Sequence, residues 1–202
     1  AYTFCDPETV EAMQADVEAL RGRVDVVIVA FHKGVVHTPA HIAMYEKPLA
    51  RAAIEAGADV IVGHHAHILR GVEVVGGKPV FHGLGNFVTV TRALTPGASG
   101  SPAREAWAKR RKALFGFEPD PAYLPLYPFH PESKNAMIAD CRIEGGSISP
   151  GFLPCWIMPS GQPEVLTRGE RGQAVMDYVV SISRAAGFKT QFDWDGDRVV
   201  FG

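Results

Sequence analysis

The chain has few cysteines, no long apolar run and almost no net charge, and each shortage excludes a class of protein. Its three cysteines, Cys5, Cys141 and Cys155, lie too far apart for a zinc-binding spacing. No apolar stretch approaches the roughly 20 residues needed to cross a bilayer, so no transmembrane segment is expected. A formal net charge of −2 in 202 residues favours neither a nucleic acid nor a membrane surface as a partner.

The amino terminus is equally short of features. Residues 1–6 contain neither the basic segment nor the apolar core of a signal peptide. An initiator methionine is missing too, so we expect a processed or truncated chain, and an export signal could have preceded it. The odd number of cysteines favours a reducing compartment, which makes a cytoplasmic location the favoured expectation.

The amino-terminal part of the chain alternates helix and strand as an α/β protein does. Asp6 followed by Pro7 is a typical helix start, because Asp caps free amides and Pro suits the first helical position. The run VDVVIVAF, residues 24–31, predicts a strand buried on both faces. A helix over 45–56 and a second buried strand over 59–62 follow. This β-α-β order predicts a parallel pair of strands.

Composition divides the rest of the chain. Residues 1–90 are expected to form the α/β core, with a β-hairpin around its Gly-Gly turn. Residues 91–134 are rich in Pro and Gly and predict an insertion or lid, whose 123–129 part approaches the site. Within it, the basic run 109–112 is either a solvated helix face or a clamp for an anionic substrate. Residues 135–202 predict two hairpins and a helix that complete the same domain.

Three histidines stand within four residues directly after the second predicted strand, in Gly63-His64-His65-Ala66-His67. Neutral imidazole is the commonest protein ligand for borderline metals. The carboxyl ends of parallel strands form the edge at which open α/β sheets build their sites. We therefore expect His65 and His67 to bind one divalent ion together or to bridge two.

Two more polar residues follow neighbouring strands. His32 comes directly after the first strand, and parallel strands end at the same edge, so His32 and His65 are expected to face one another. Asn86 lies in a glycine-rich segment after the strand that ends at His82. Its amide either hydrogen-bonds a neighbouring metal ligand or simply belongs to a tight turn.

Three motifs together resemble a bacterial family, the CapA proteins of capsule or poly-γ-glutamate synthesis, in the calcineurin-like metallophosphatase superfamily. The motifs that carry the resemblance are Phe31-His32-Lys33-Gly34, residues 55–67, and Gly83-Leu84-Gly85-Asn86-Phe87. The resemblance covers about residues 24–88 and implies an α/β/β/α sandwich. The family usually has Trp where this chain has Lys33 and Pro where it has Ala66. These differences alter the rim of the site and leave the histidines in place.

The resemblance also implies parts that this sequence does not contain. The family begins with a Gly-Asp strand, a Glu-bearing motif and an Asn-Asn-His motif, which supply oxygen ligands. We expect a missing amino-terminal half, or a companion chain, to contribute these Asp, Glu and Asn ligands. The complete site would then hold two divalent ions, with Mn, Zn and Fe as the candidates.

A metal-dependent hydrolase of an amide, peptide or phosphoester is the activity that the resemblance implies, within poly-γ-glutamate or capsule metabolism. The expected metal ligands are His32, His65 and His67. The expected catalytic residues are His32 and His64, as general acid or base. Lys33 and Asn86 are expected to bind an anionic or peptide substrate.

Two alternatives to hydrolysis stay open. A CapA-like peptide epimerase would use histidine to move a proton at Cα instead of delivering water. A non-catalytic subunit of a polymer-synthesising complex would retain the site without using it.

Overall fold

A computed structural model describes residues 5–202, so the first four residues of the predicted 1–90 core lie outside the described part of the chain. That part contains four α-helices and nine strands. The helices are α1 (Pro7–Arg21), α2 (Glu46–Glu55), α3 (Pro102–Phe115) and α4 (Glu170–Ala185). The strands are β1 (Ile28–Lys33), β2 (Val60–His65), β3 (Val72–Val75), β4 (Lys78–Phe81), β5 (Asn135–Glu144), β6 (Ser147–Ile157), β7 (Pro163–Val165), β8 (Phe192–Asp195) and β9 (Arg198–Phe201).

The first sheet has the strand order β1-β2-β4-β3. β1 and β2 are parallel and are connected through α2, as the β-α-β pattern predicts, and β3 pairs with β4 in the predicted hairpin. Asp6 caps α1 by accepting a hydrogen bond from the Thr9 amide, and Pro7 is the first helical residue, also as predicted. Helices α1 and α2 cover one face of this sheet through a cluster of small and branched apolar side chains. Its buried members include Val17, Val27, Ala50, Ala53, Ile61 and Val80.

β1 differs from the prediction in both position and burial. It begins at Ile28 rather than residue 24 and continues through Lys33, so His32 lies inside the strand. The prediction of burial on both faces is wrong, because β1 is the edge strand and alternate residues along it are exposed. Ile28 is 61% exposed. β2 likewise runs beyond its predicted end to His65, because its parallel pairing with β1 continues that far.

The second sheet is antiparallel and lies in the carboxyl-terminal part of the chain. Its order is β5-β6-β9-β8, with β7 added beside β6, so both predicted hairpins and the predicted helix α4 are present. The two sheets and α4 share one apolar core. Its buried members include Leu69, Phe81, Met137, Phe152, Val179, Val199 and Phe201. The predicted mixed α/β fold with two packed sheets is confirmed.

The segment between β4 and β5 joins neither sheet. It contains α3, which is longer than the short helix expected for the basic run, and three short 3-10 helices. Its aromatic residues Tyr123, Tyr127 and Phe129 pack against Cys155 and Ile157 of β6. This packing fixes the segment against the second sheet. No helix within residues 5–202 is both long and apolar enough to span a bilayer.

Candidate metal centre

Two histidines meet at the carboxyl edge of the first sheet. The Nδ1 atom of His65 lies 3.0 Å from Nε2 of His32, and the two imidazole rings are centred 4.8 Å apart in an edge-to-face arrangement. The expectation that these two residues face one another is confirmed. Burial, together with the charges that His32 and His67 would carry, lowers the pKa of His65. His65 is therefore held toward the neutral form that binds metals.

The backbone of His65 brings about this contact. The strand register pairs His32 with His64, so regular alternation would place the His64 side chain beside His32. His65 has a φ of 98°, which breaks the regular strand at its last residue, and its imidazole contacts His32 instead. His64 is exposed and makes no side-chain hydrogen bond within residues 5–202. Its expected catalytic role therefore gains no contact that would support it.

His67 is oriented by a buried amide. Its Nδ1 lies 2.8 Å from Oδ1 of Asn86, whose Nδ2 donates to the His67 carbonyl oxygen and to the hydroxyl of Tyr127 at 3.4 Å each. An acceptor on one ring nitrogen leaves Nε2 available as a ligand, which is the usual outer-shell arrangement of metal-binding histidines. Of the two interpretations of Asn86, the structure shows the hydrogen bond to a neighbouring ligand candidate. A direct contact of this 5%-exposed residue with substrate gains no support.

Lys33 is placed differently from its expected substrate-binding role. It follows His32 on β1, so its side chain points to the opposite face, where it is 7% exposed. Its Nζ donates to Oε2 of Glu46 at 2.7 Å and lies 3.4 Å from Nδ1 of His82. The ammonium group is already paired inside the protein, so the expected substrate-binding role of Lys33 gains no support.

Lys33 belongs to a buried ionic network that lies beneath the histidine edge. Glu46 also accepts from Nη2 of Arg70 at 3.2 Å and from the Ala43 amide at 2.8 Å, and both Glu46 and Arg70 are fully buried. Burial alone would raise the pKa of the Glu46 carboxyl, but the neighbouring His82 and Lys33 outweigh it and hold that pKa far below its usual range. The network holds the loop after β1 against the sheet, because Arg70 Nη1 also donates to the carbonyl oxygen of Val35.

His37 is a site residue that the sequence analysis missed. Its ring centre lies 6.0 Å from that of His67 and 4.9 Å from that of Phe117, and its Nδ1 is buried without a hydrogen-bond partner among the described residues. Burial, reinforced by the charge of Arg111, lowers its pKa to about 4. Its position five residues after His32, in the same post-strand loop, was the available signal.

The three histidines around the site share an uncommon backbone conformation. His37, His65 and His67 have φ values of 57°, 98° and 56°, and they are the non-glycine residues with positive φ within residues 5–202. A non-glycine residue in this region costs of order 1–3 kcal/mol and persists only where its surroundings impose it. Strain of this kind is typical of functional sites, and here it is confined to one group of imidazoles.

The 123–129 part of the insertion approaches the site, as expected. Phe129 stacks on His67 with ring centres 5.4 Å apart, and the Tyr127 hydroxyl contacts Asn86. Aromatic side chains therefore form one wall of the histidine edge. They cover one side of the His67 ring, while the residue itself is exposed.

The arrangement fits a metal in part. Two nitrogen ligands on one tetrahedral ion with bonds of about 2.1 Å would lie about 3.4 Å apart, close to the 3.0 Å between His32 and His65. The described residues contain no group of three or more His, Cys, Asp or Glu side chains that converges on one point. His67 stands beside the pair, with 6.4 Å between its ring centre and that of His65. The donor set is thus a pair of imidazoles with a third nearby, and it contains no carboxylate.

Known proteins match the part of the chain that carries this edge. The family described as "Bacterial capsule synthesis protein PGA_cap" matches residues 3–91. The "PGA biosynthesis protein CapA" of Bacillus subtilis (strain 168) is 56% identical over 43 residues, which cover 21% of this chain and 11% of that protein. The "Capsule biosynthesis protein CapA" of Bacillus anthracis is 41% identical over 68 residues, 34% of this chain and 16% of that protein.

These matches are short relative to the proteins that they join. They span 11% and 16% of the two relatives' lengths. The family match, over residues 3–91, includes β1, β2 and the loops with the candidate ligands. The mixed α/β architecture agrees with the calcineurin-like superfamily in which this family is placed, whose members typically bind metals. Residues 3–91 are therefore similar to the bacterial capsule synthesis family PGA_cap.

Proposed function

We propose that the chain is the histidine-bearing part of a metal-dependent hydrolase that acts on an amide, peptide or phosphoester in capsule or poly-γ-glutamate metabolism. The observation that carries the proposal is the pair of converging imidazoles, with 3.0 Å between His65 Nδ1 and His32 Nε2, at the carboxyl edge of a sheet. His67, oriented by Asn86, stands beside that pair as the third ligand. When bound, divalent ions would supply Lewis acidity that polarises the scissile group and makes water a stronger nucleophile.

Each residue of the edge has a separate task in this proposal. His32 and His65 present ring nitrogens to the same point, and the lowered pKa of His65 keeps its own ring free of a competing proton. Asn86 fixes the ring of His67, so that Nε2 faces outward. Phe129 covers one side of that ring and excludes water from it. In the alternative role expected for His32, its exposed imidazole exchanges a proton with the leaving group instead of binding metal.

The remaining ligands are oxygen donors in this proposal. Imidazoles alone leave two close cations uncompensated, and carboxylates offset that charge. Asp, Glu or Asn side chains contributed by a preceding segment or by a companion chain would complete the centre. A subunit that merely retains the site would not need the lowered pKa of His65 or the oriented ring of His67.

Product analysis in deuterated water tests the proposal. The protein is stripped with a chelator, reloaded with Mn²⁺, Zn²⁺ or Fe²⁺, and incubated with γ-glutamyl peptides and with a phosphoester. Hydrolysis gives two fragments, and the His65→Ala variant gives none. An unchanged peptide mass plus one solvent deuterium at Cα would replace hydrolysis by epimerisation. If neither product forms with any metal, and the protein binds no metal, the non-catalytic subunit is the alternative that remains.

A further inference from the structure

One arginine of the basic run turns away from solvent. Lys109, Arg110 and Lys112 are exposed on α3, whereas Arg111 is half-buried. Trp107, Arg111 and Phe115 recur every four residues, so they share one helix face. The Arg111 guanidinium carbon lies 5.4 Å from the ring centre of Trp107 and 5.2 Å from that of Phe115.

That guanidinium adjoins the histidine edge. Arg111 also lies over Phe117, at 5.4 Å, and His37 contacts both Phe115 and Phe117, with ring centres 5.2 and 4.9 Å apart. His37 in turn neighbours His67. Arg111 and His37 therefore belong to one aromatic cluster, with Phe115 and Phe117, and this cluster adjoins the candidate ligand His67.

Two polar side chains of this cluster have nitrogen atoms without a hydrogen-bond partner among the described residues. Nε of Arg111 and Nδ1 of His37 are both buried and hydrogen-bond to nothing within residues 5–202, and Arg111 has no carboxylate within ion-pair distance there. The buried arginines Arg70 and Arg198 do have one, in Glu46 and Asp140. Aromatic faces attract a guanidinium but accept none of its in-plane hydrogen bonds. A half-buried cation without an anion is costly, so Arg111 is suited to receive one.

We propose that Arg111, with His37 beside it, binds a carboxylate of the substrate and so selects carboxylate-bearing chains for the adjacent centre. The inference rests on the proposed function for the identity of that centre. Guanidinium groups bind carboxylates through two parallel hydrogen bonds, and the Phe rings around Arg111 suit the methylene groups that flank such a carboxylate. One guanidinium supplies one positive charge, which matches a carboxylate monoanion better than a doubly charged phosphate.

A binding measurement without added metal tests this assignment apart from catalysis. The probe is a γ-linked diglutamate peptide with free carboxylates, and its fully amidated form is the reference; both are titrated calorimetrically into the intact protein. Arg111→Met should weaken binding of the free-acid peptide about 10- to 100-fold, since a charge-assisted bidentate pair is lost. Arg111→Lys should restore part of that loss. Arg110→Met, the exposed neighbour in the same basic run, should change the affinity less than twofold.

Several results would overturn the assignment. One is a folded Arg111→Met protein, with an unchanged melting curve, that binds the free-acid peptide as tightly as the parent does. A second is an equal loss in Arg110→Met, which would indicate unspecific attraction to the whole helix. Displacement of the peptide by inorganic phosphate at equal concentration would mean that Arg111 binds phosphate instead of a carboxylate. The His65→Ala variant should still bind the peptide, so absence of hydrolysis and absence of carboxylate binding remain distinguishable.

Discussion

Two adjacent residues at the end of β1, His32 and Lys33, have opposite surroundings. His32 is exposed and contacts His65, whereas Lys33 is buried against Glu46 and His82. Because neighbouring side chains of a strand point to opposite faces, one strand end supplies both an exposed candidate nitrogen ligand and a buried ionic network. Polar residues at a sheet edge therefore lie on one face or the other according to whether their position along the strand is odd or even. One face can perform chemistry, and the other holds the edge in place.

Removing a ligand should have the largest effect on the open face. His65→Ala and His67→Ala are each expected to abolish bound metal and activity in the complete protein while leaving the melting temperature nearly unchanged. Both side chains lie at the end of a strand or in a loop, where core packing contributes little. Elemental analysis beside a melting curve measures both effects.

His41→Ala is the matched control for these two variants, because His41 is an exposed histidine in the loop that precedes α2. It should keep full metal content. Unchanged metal content in both His65→Ala and His67→Ala would mean that the imidazole group is structural. The exposed face would then not differ from the buried face in binding metal.

On the closed face, Glu46→Ala should lower the free energy of unfolding by about 3–5 kcal/mol, because it leaves Lys33 and Arg70 buried without their counter-charge. Urea unfolding monitored by circular dichroism measures the loss. Glu164→Ala breaks the exposed ion pair with Arg171 and serves as the control, with little change expected. Equal effects of the two variants would show that burial does not distinguish the two pairs.

The same carboxylate predicts how stability depends on pH. The pKa of Glu46 is depressed in the folded protein, so its ionic contribution is fully present above the ordinary carboxyl pKa of 4.5 and is lost progressively at lower pH. The stability difference between the parent and Glu46→Gln should therefore be constant above about pH 5 and shrink below it. Urea unfolding at a series of pH values measures it, and a difference that grows toward acid pH would contradict the assignment.

Asn86 connects the open face to the aromatic wall and should show an intermediate effect. Asn86→Ala removes the acceptor for His67 Nδ1 and is expected to weaken metal binding about 10- to 100-fold. Asn86→Asp keeps an acceptor in the same place and should bind metal more tightly than the alanine variant. Metal titration with a competing chelator gives both affinities. Identical metal affinities of the two variants would mean that Asn86 does not orient His67 for metal binding.

The smallest expected effect is that of Tyr127→Phe. It removes the hydroxyl that donates to the Ser133 carbonyl oxygen at 2.8 Å and accepts from Asn86, and should cost about 1 kcal/mol of stability. Metal content should be unchanged, as measured by elemental analysis beside urea unfolding. A loss of metal as large as that of Asn86→Ala would make Tyr127 part of the centre.

Local rules predicted what depends on neighbours in sequence. Asp6 and Pro7 begin α1, and strand ends brought His32 and His65 together, because capping and parallel pairing are set by short-range chemistry and simple topology. The burial of Lys33 was not predictable in this way. Its partner Glu46 is brought to it by the fold of the loop after β1, and that fold depends on Arg70 from beyond β2. Sequence spacing records none of these contacts.

The site face itself was predicted only in outline. The His-x-His spacing located the edge. It did not predict the positive φ of His65, through which His65 instead of His64 becomes the neighbour of His32. His37 was missed because loop residues reach a site through tertiary packing, here against Phe117 from a distant segment. Periodicity in sequence carries no information on such contacts.

At His37, His65 and His67, the positive φ lowers thermal stability, whereas the imidazole that each residue carries belongs to the candidate site. Glycine adopts this conformation without the penalty of about 1–2 kcal/mol that a side chain carries. A library of variants selected for survival at high temperature should therefore accumulate glycine at these three positions. Each such gain in stability would remove an imidazole, so thermal selection without a functional screen would erase this centre first.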